Sequence, residues 1–205
     1  MTNQVSLRDV KESDLPTFFD QQLDPEATRM AAFPSRDRDS FMAHWAKSMA
    51  DKTTTLQTIM FDGRVVGNIL CWEQSGERAV GYWIGREYWG KGIASEALSQ
   101  FLGLVEFRPL VAHVAKQNIA SLRVLQKCGF TISNENKFPS ANDDYGDEYV
   151  LTLETSEGMA RSLLLQADGQ AAAADGAEDK PRLSGKPLAG QERKCECHMP
   201  LLRSD

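Results

Sequence analysis

Apolar residues along the first three quarters of the chain fall into two rhythms. Val5 and Leu7 alternate with polar neighbours and predict a first strand. Asp14 can cap a helix that carries Leu15, Phe18 and Phe19, with Pro16 tolerated in its first turn. Ser35 can cap a second helix, with Phe41, Trp45 and Met49 on one face. The predicted spans are Asp14 to Leu23 and Ser35 to Ala50. Two β-rich runs, Thr54 to Phe61 and Arg64 to Trp72, flank Asp62-Gly63 and predict a hairpin. Ser75-Gly76 turns the chain into a strand over Ala79 to Ile84. Ile93, Ala97, Phe101 and Leu104 then recur at helical spacing. Leu110 to Val114 reads as a strand. Ser121, Leu122, Leu125 and Cys128 lie on a helix that Gly129 ends. Thr131 and Ile132, then Tyr149 to Leu153, give closing strands. The order predicts an α/β fold: a mixed, mainly antiparallel sheet flanked by helices.

The pattern stops at Val150. Every Phe, Trp, Tyr, Ile and Val in the sequence lies at or before it. The rest is mostly Ala, Gly, Asp, Glu, Lys, Pro, Ser and scattered Leu, with a low-complexity run from Gly169 to Gly176. Without large apolar side chains a segment cannot offset the entropy of ordering its backbone. The expected organisation is one folded domain over residues 1–157 and a disordered tail over 158–205, with a short helical turn at Leu163 to Leu165.

Composition narrows the function classes. The 205 residues carry a formal net charge of -6, which disfavours general nucleic-acid binding, since that needs a basic face. No apolar run approaches the roughly 20 residues that span a bilayer, and Met1 to Val10 lacks a signal-peptide core. A cytoplasmic protein is expected, with neither nucleic acid nor membrane as partner. Cys71 and Cys128 sit in apolar segments and read as reduced core residues. Cys195, Cys197 and His198 form a Cys-x-Cys-His cluster, but zinc sites use wider ligand pairs and no second pair follows, so no metal is expected.

The chemistry concentrates in Ala79 to Leu98. An apolar strand runs into Trp89-Gly90-Lys91-Gly92 and a helix starts at once. Glycines let the backbone approach a ligand without Cβ obstruction. The first turn of the helix leaves N–H groups unpaired at the positive end of its dipole. Phosphate or pyrophosphate is the natural guest. The spacing is neither a P-loop nor a complete dinucleotide fingerprint.

With its surroundings, Glu87-Tyr88-Trp89-Gly90-Lys91-Gly92 resembles motif A of the GNAT superfamily of N-acetyltransferases, written Q/R-x-x-G-x-G/A. The first position departs, holding Glu. The form Tyr-Trp-Gly-Lys-Gly-Ile-Ala-x-Glu-Ala-Leu looks like the RimJ/RimL-type branch. Asn118 to Phe130, a helix ending in Gly129-Phe130, looks like motif B. The resemblance covers about Val5 to Leu153 and implies the GNAT fold, with acetyl-CoA as co-substrate. It implies that the main chain of Tyr82, Trp83 and Ile84 pairs with the pantetheine arm. Main-chain N–H groups of Trp89, Gly90, Lys91, Gly92 and Ile93 would hold the pyrophosphate. The Asn118 side chain would bond the pantetheine, although it is also a plausible helix cap. Ser121 would sit near the thioester sulfur.

The implied reaction is direct attack of an amine on the thioester, with no covalent enzyme intermediate. The amine must be neutral, which near pH 7 costs roughly 4–5 kcal/mol for a lysine-like amine and about 1 for an α-amine. A main-chain N–H near Trp83 could stabilise the oxyanion. Many family members protonate the leaving thiolate with a Tyr on the motif B helix, and by register that position is Leu125 here. RimL-type enzymes resemble this chain in having a Ser at the Ser121 position, so the resemblance implies Ser121 as the acid. Glu73, Glu77 and Glu148 are candidate bases by location. His113, on an apolar strand, reads as a core histidine. The acceptor site is expected between the first two helices and the segment Asn134 to Asp147, whose acidic residues include Asp143, Asp144 and Asp147. The expected acceptor is a primary amine on a small molecule or a protein N-terminus. The alternative is a module that binds acyl-CoA as a sensor, without turnover.

Overall fold

The computed structural model describes residues 4–74, 76–139 and 145–155. The tail, its expected helical turn, the Cys195 to His198 cluster and Asp143 and Asp144 lie outside the described residues.

Strands β1 (Val5–Asp9), β2 (Thr55–Phe61), β3 (Arg64–Gln74), β4 (Glu77–Ile84), β5 (Leu110–Ala115), β6 (Thr131–Pro139) and β7 (Tyr145–Leu153) form one sheet. Its spatial order is β1-β2-β3-β4-β5-β7-β6. All neighbours are antiparallel except β4 and β5, which run parallel. The expected mixed, mainly antiparallel sheet is therefore present. At the predicted hairpin Asp62 has φ 48 and Gly63 φ 77, the pair of left-handed residues that a two-residue turn between twisted strands requires.

Helices α1 (Leu15–Gln22) and α3 (Arg38–Ala50) cover one face of the sheet, and α4 (Ile93–Leu102) and α5 (Ile119–Lys127) the other. Strand β3 is buried on both faces. Its Ile69 and Cys71 join the core with Ile93, Leu98, Phe101 and Leu125, while Leu70 and Trp72 pack on the opposite side. The second core holds Leu15, Phe18, Phe41 and Trp45. Each such side chain taken out of water contributes about 1.5–3 kcal/mol.

Four details depart from the sequence reading. A further helix, α2 (Pro25–Ala31), follows α1. Asp24 caps it by accepting from the N–H groups of Glu26 and Ala27, and Pro25 opens it. The cap of α3 is Asp37, which accepts from Ser40 N–H at 2.9 Å, and not Ser35. Asp14 precedes α1 but its side chain does not cap it. It is buried, held by the Arg8 guanidinium at 2.6 and 2.7 Å, the Thr58 hydroxyl at 2.7 Å and the Lys11 N–H at 3.0 Å. Burial alone would raise this carboxyl; the donors outweigh it and bring it down to about 2. The closing strands are also longer than expected, because polar residues 134–137 extend β6 along the sheet edge.

Candidate active site

Strands β4 and β5 pair in register only at Ala79 and Val111. Beyond that point the sheet splits. A chamber of about 150 Å³ opens between Val80–Trp83 of β4 and Ala112–Ala115 of β5. A second cavity, of about 380 Å³, continues from it past the end of β4 to the start of α4. The two share Tyr82, Trp83, Asn118, Ser121 and Ala31. They adjoin at these residues, in the middle of the sheet.

The outer cavity brings the motif residues together. Tyr82, Trp83, Ile84, Trp89, Gly90, Gly92, Ile93, Asn118 and Ser121 all line it. Lys91 does not: its ammonium sits 5.2 Å from the Tyr88 ring centre, on the surface. The strand-to-helix turn is built locally. A 3-10 turn over Arg86–Tyr88 follows β4, and the Trp89 indole donates to the Ile84 carbonyl at 2.8 Å. Gly90 and Gly92 have φ 74 and 77, and a Cβ at either would meet nothing within 4 Å, only open space. The first intrahelical bond of α4 is Glu96 N–H to Gly92 carbonyl at 3.1 Å. The N–H groups of Ile93, Ala94 and Ser95 precede it and have no partner within the helix.

At the junction Tyr82 and Ser121 join their hydroxyls at 2.9 Å. Burial pushes the Tyr82 phenol up to about 12, against the opposing effect of the Ser121 hydrogen bond. Asn118 caps α5: its Oδ1 accepts from Ser121 N–H at 3.0 Å, which leaves its amide N–H groups for other partners. The indole N–H of Trp83 is buried and has no partner among the described residues. A carbonyl oxygen of Trp83 occupies the space above Gly67, where an added Cβ would lie 2.0 Å from it.

The inner chamber holds a pair that sequence reasoning kept apart. His113 Nδ1 lies 3.0 Å from Glu148 Oε1, and both residues line the chamber. His113 faces Val150 across the β5–β7 ladder, and Glu148 is two residues from Val150, so both side chains project from one face. Glu148 is 4% exposed. Glu73 and Glu77 line neither cavity; Glu73 is on the surface beside Arg78 at 3.5 Å. Leu125 also lines the inner chamber. The missed helix α2 borders the site, with Ala31 on both cavities. Its ends are tied to the two arms of the split. Asp24 meets Arg86 after β4 at 3.6 Å, and Gln117 after β5 donates to the Arg29 carbonyl at 2.7 Å.

Solved structures share the fold at low identity. A spermidine N-acetyltransferase from Vibrio cholerae, in complex with CoA and spermine, is 17% identical with a TM-score of 0.66, over 75% of this chain and 96% of its own. A ribosomal-protein-S5-alanine acetyltransferase from Vibrio fischeri is 17% identical with a TM-score of 0.61, over 74% and 93%. An aminoglycoside acetyltransferase in complex with coenzyme A is 15% identical with a TM-score of 0.61, over 77% and 98%. No curated protein matches in sequence. The family model described as an acetyltransferase (GNAT) domain matches residues 4–131, which span the hairpin, the split sheet, the glycine turn and α5. The chain belongs to the GNAT acetyltransferase family.

Proposed function

We propose that the chain is a cytoplasmic N-acetyltransferase of the RimJ/RimL-type branch. It moves the acetyl group of acetyl-CoA to a primary amine on a small molecule or a protein N-terminus. The observation that carries this reading is the pair of adjoining cavities. One is walled by the unpaired N–H groups of α4, the other by ionisable side chains, and a pair of hydroxyls stands between them. The amines that the structural neighbours are named for, spermidine, an aminoglycoside and a protein alanine, support an amine acceptor.

The residues fit the co-substrate. The glycine turn offers main-chain donors and no Cβ to an anion, so Trp89 to Ile93 would hold the pyrophosphate. Tyr82 to Ile84 lie on the arm of β4 that diverges from β5, where a pantetheine chain would run as an added strand. The Asn118 amide N–H groups would donate to its carbonyls. The buried Trp83 indole N–H, without a partner among the described residues, or a main-chain N–H near it would donate to a developing oxyanion.

Ser121 would serve the departing sulfur. A thiol ionises near 8.5 and the buried Tyr82 phenol only near 12, so full proton transfer from the pair would be uphill by roughly 5 kcal/mol. The Tyr82–Ser121 pair therefore acts by donating a hydrogen bond as charge develops, and solvent completes the protonation. The test is thiol release from acetyl-CoA with a panel of small amines and short peptides. Release with any of them supports the enzyme. Binding without release across the panel would favour the sensor, for which the apolar Leu125 at the family's Tyr position speaks.

A further inference from the structure

We propose that His113 and Glu148 supply the general base of the acetyl transfer, with Nε2 of His113 taking the amine proton and Glu148 orienting the ring. The inference rests on the N-acetyltransferase reading and names the group that reading leaves open.

Three observations carry it. Nδ1 of His113 is engaged by Glu148 at 3.0 Å. With the buried Glu148 carboxylate accepting a hydrogen bond from Nδ1–H, the lone pair of the neutral ring lies on Nε2. Second, the ring is not sealed in the core. A quarter of the His113 side chain is exposed, against 5% for Glu148, and the ring lines the same chamber as Ser121 and Tyr82. Base and hydroxyl pair thus come from different elements, β5 on one side and β4 with α5 on the other, with the end of the pantetheine path between them. Third, among the described residues the other histidine, His44 on α3, cannot compete. Burial pushes the His44 ring down to about 4, aided by Arg36 and Lys47, and it lines a separate recess with Trp45.

Facing the His113 ring, the titratable side chains of the chamber lining are Glu148 from β7 and Tyr82 from β4, among the described residues. The lining contributed by α2, α5 and β3 contains none. A partly exposed imidazole paired with a buried carboxylate thus shares one chamber with a phenol held protonated at neutral pH.

The step balances simply. The neutral amine attacks the thioester carbon and the C–N bond forms as an N–H proton passes to Nε2. Collapse breaks the C–S bond, and CoA leaves as a thiolate hydrogen-bonded by Ser121. The thiolate takes a proton from solvent and His113 returns one to solvent, so the net reaction releases thiol and amide. His113 is the catalytic residue; Glu148, acting through it, is a positioning residue.

The experiment is a pH–rate profile of thiol release on the full chain, with acetyl-CoA binding measured in parallel by calorimetry. In the wild type kcat/KM falls on the acidic side as the imidazole protonates. The midpoint coincides with that of His113 Cε1–H in an NMR titration. His113→Gln lowers kcat by about 10²–10⁴-fold and removes that limb, with acetyl-CoA affinity within threefold. Glu148→Gln lowers kcat about tenfold with the KM for acetyl-CoA unchanged, a split that loss of packing would not give. His113→Ala recovers turnover with added imidazole. A His113→Gln variant that keeps wild-type kcat and its acidic limb overturns the assignment alone. So does an NMR midpoint more than one pH unit from the kinetic one, which needs no variant to fold. A wild type that binds acetyl-CoA and releases no thiol with any amine overturns the acetyl-transfer reading, and the base with it.

Discussion

Replacing Gly92 by Val separates two things that a glycine turn can do. Gly92 has φ 77, and so does Gly63 in the β2–β3 hairpin; an added Cβ meets nothing within 4 Å at either. The folded-state penalty is therefore nearly the same at both. A left-handed residue with a Cβ costs about 1–2 kcal/mol, and a β-branched one sits at the upper end. The surroundings differ. Gly63 turns at the surface, while Gly92 lines the outer cavity at the head of α4. A valine there puts two methyl groups where phosphate oxygens would accept from the N–H groups of Ile93 to Ser95. Charge-assisted hydrogen bonds are worth about 1.5–3 kcal/mol each. Lengthening two of them removes roughly 3–6 kcal/mol, so at least a hundredfold loss of CoA affinity is expected. Urea denaturation and calorimetry with CoA measure the two effects on each variant. Gly63→Val should lose stability and keep CoA; Gly92→Val should lose both. Two variants with equal loss of stability and CoA affinity within threefold of wild type would show that the turn holds no phosphate.

Three further outcomes are expected. Gly67→Ala places a Cβ 2.0 Å from the Trp83 carbonyl oxygen, where about 3.0 Å is the closest approach, so β3 or β4 must shift by about an ångström. Denaturation should show roughly 2–3 kcal/mol lost and steady-state kinetics about a hundredfold lower kcat/KM; an unchanged variant would mean that β4 yields freely. Its donors hold the Asp14 carboxyl down at about 2, below the ordinary 3.8, so its stabilisation is complete above about pH 4 and disappears as pH falls towards 2. That window should cost the wild type roughly 2 kcal/mol more than Asp14→Asn, read as urea midpoints at pH 5 and pH 2.5; parallel curves would remove the ion pair from the account. Ser121→Ala should lower kcat tenfold or more with acetyl-CoA binding within twofold, and an unchanged kcat would leave the sulfur to solvent alone.

Strands, the hairpin turn, α4 and α5 were legible because their signals are local. Apolar spacing, Asp62-Gly63, the glycine turn and Gly129 each act within a few residues. Helix α2 was missed although Asp24-Pro25-Glu26 carries a cap, a first-turn proline and a first-turn acid. It has seven residues and ends on Ala32 at φ 51, without the glycine that usually marks such an end. Asp14 was misread because a carboxylate before a helix looks alike whether it caps or pairs. Arg8 and Thr58, which decide it, lie on other strands. The site divides the same way. Tyr82 to Ile93 and Asn118 to Ser121 were each legible from a local signal, the glycine turn and the start of α5, although 39 residues separate Tyr82 from Ser121. His113 and Glu148 lie 35 residues apart, and only the register of β5 on β7 joins them.

The split between β4 and β5 also makes the sheet mechanically discontinuous. Strands β1 to β4 are sewn together by full antiparallel ladders, as are β5, β7 and β6, but the two panels share a single bridge at Ala79 and Val111. A pantetheine arm laid along β4, as proposed, would act as a keystone, restoring hydrogen-bonded continuity that the polypeptide omits. Panel-to-panel cohesion then belongs partly to the ligand. In the empty protein, amide exchange in β5 to β7 should uncouple from that in β1 to β4. With CoA bound, the two sets should slow together and exchange as one cooperative unit. Each catalytic cycle would thus fasten and release the middle of the fold.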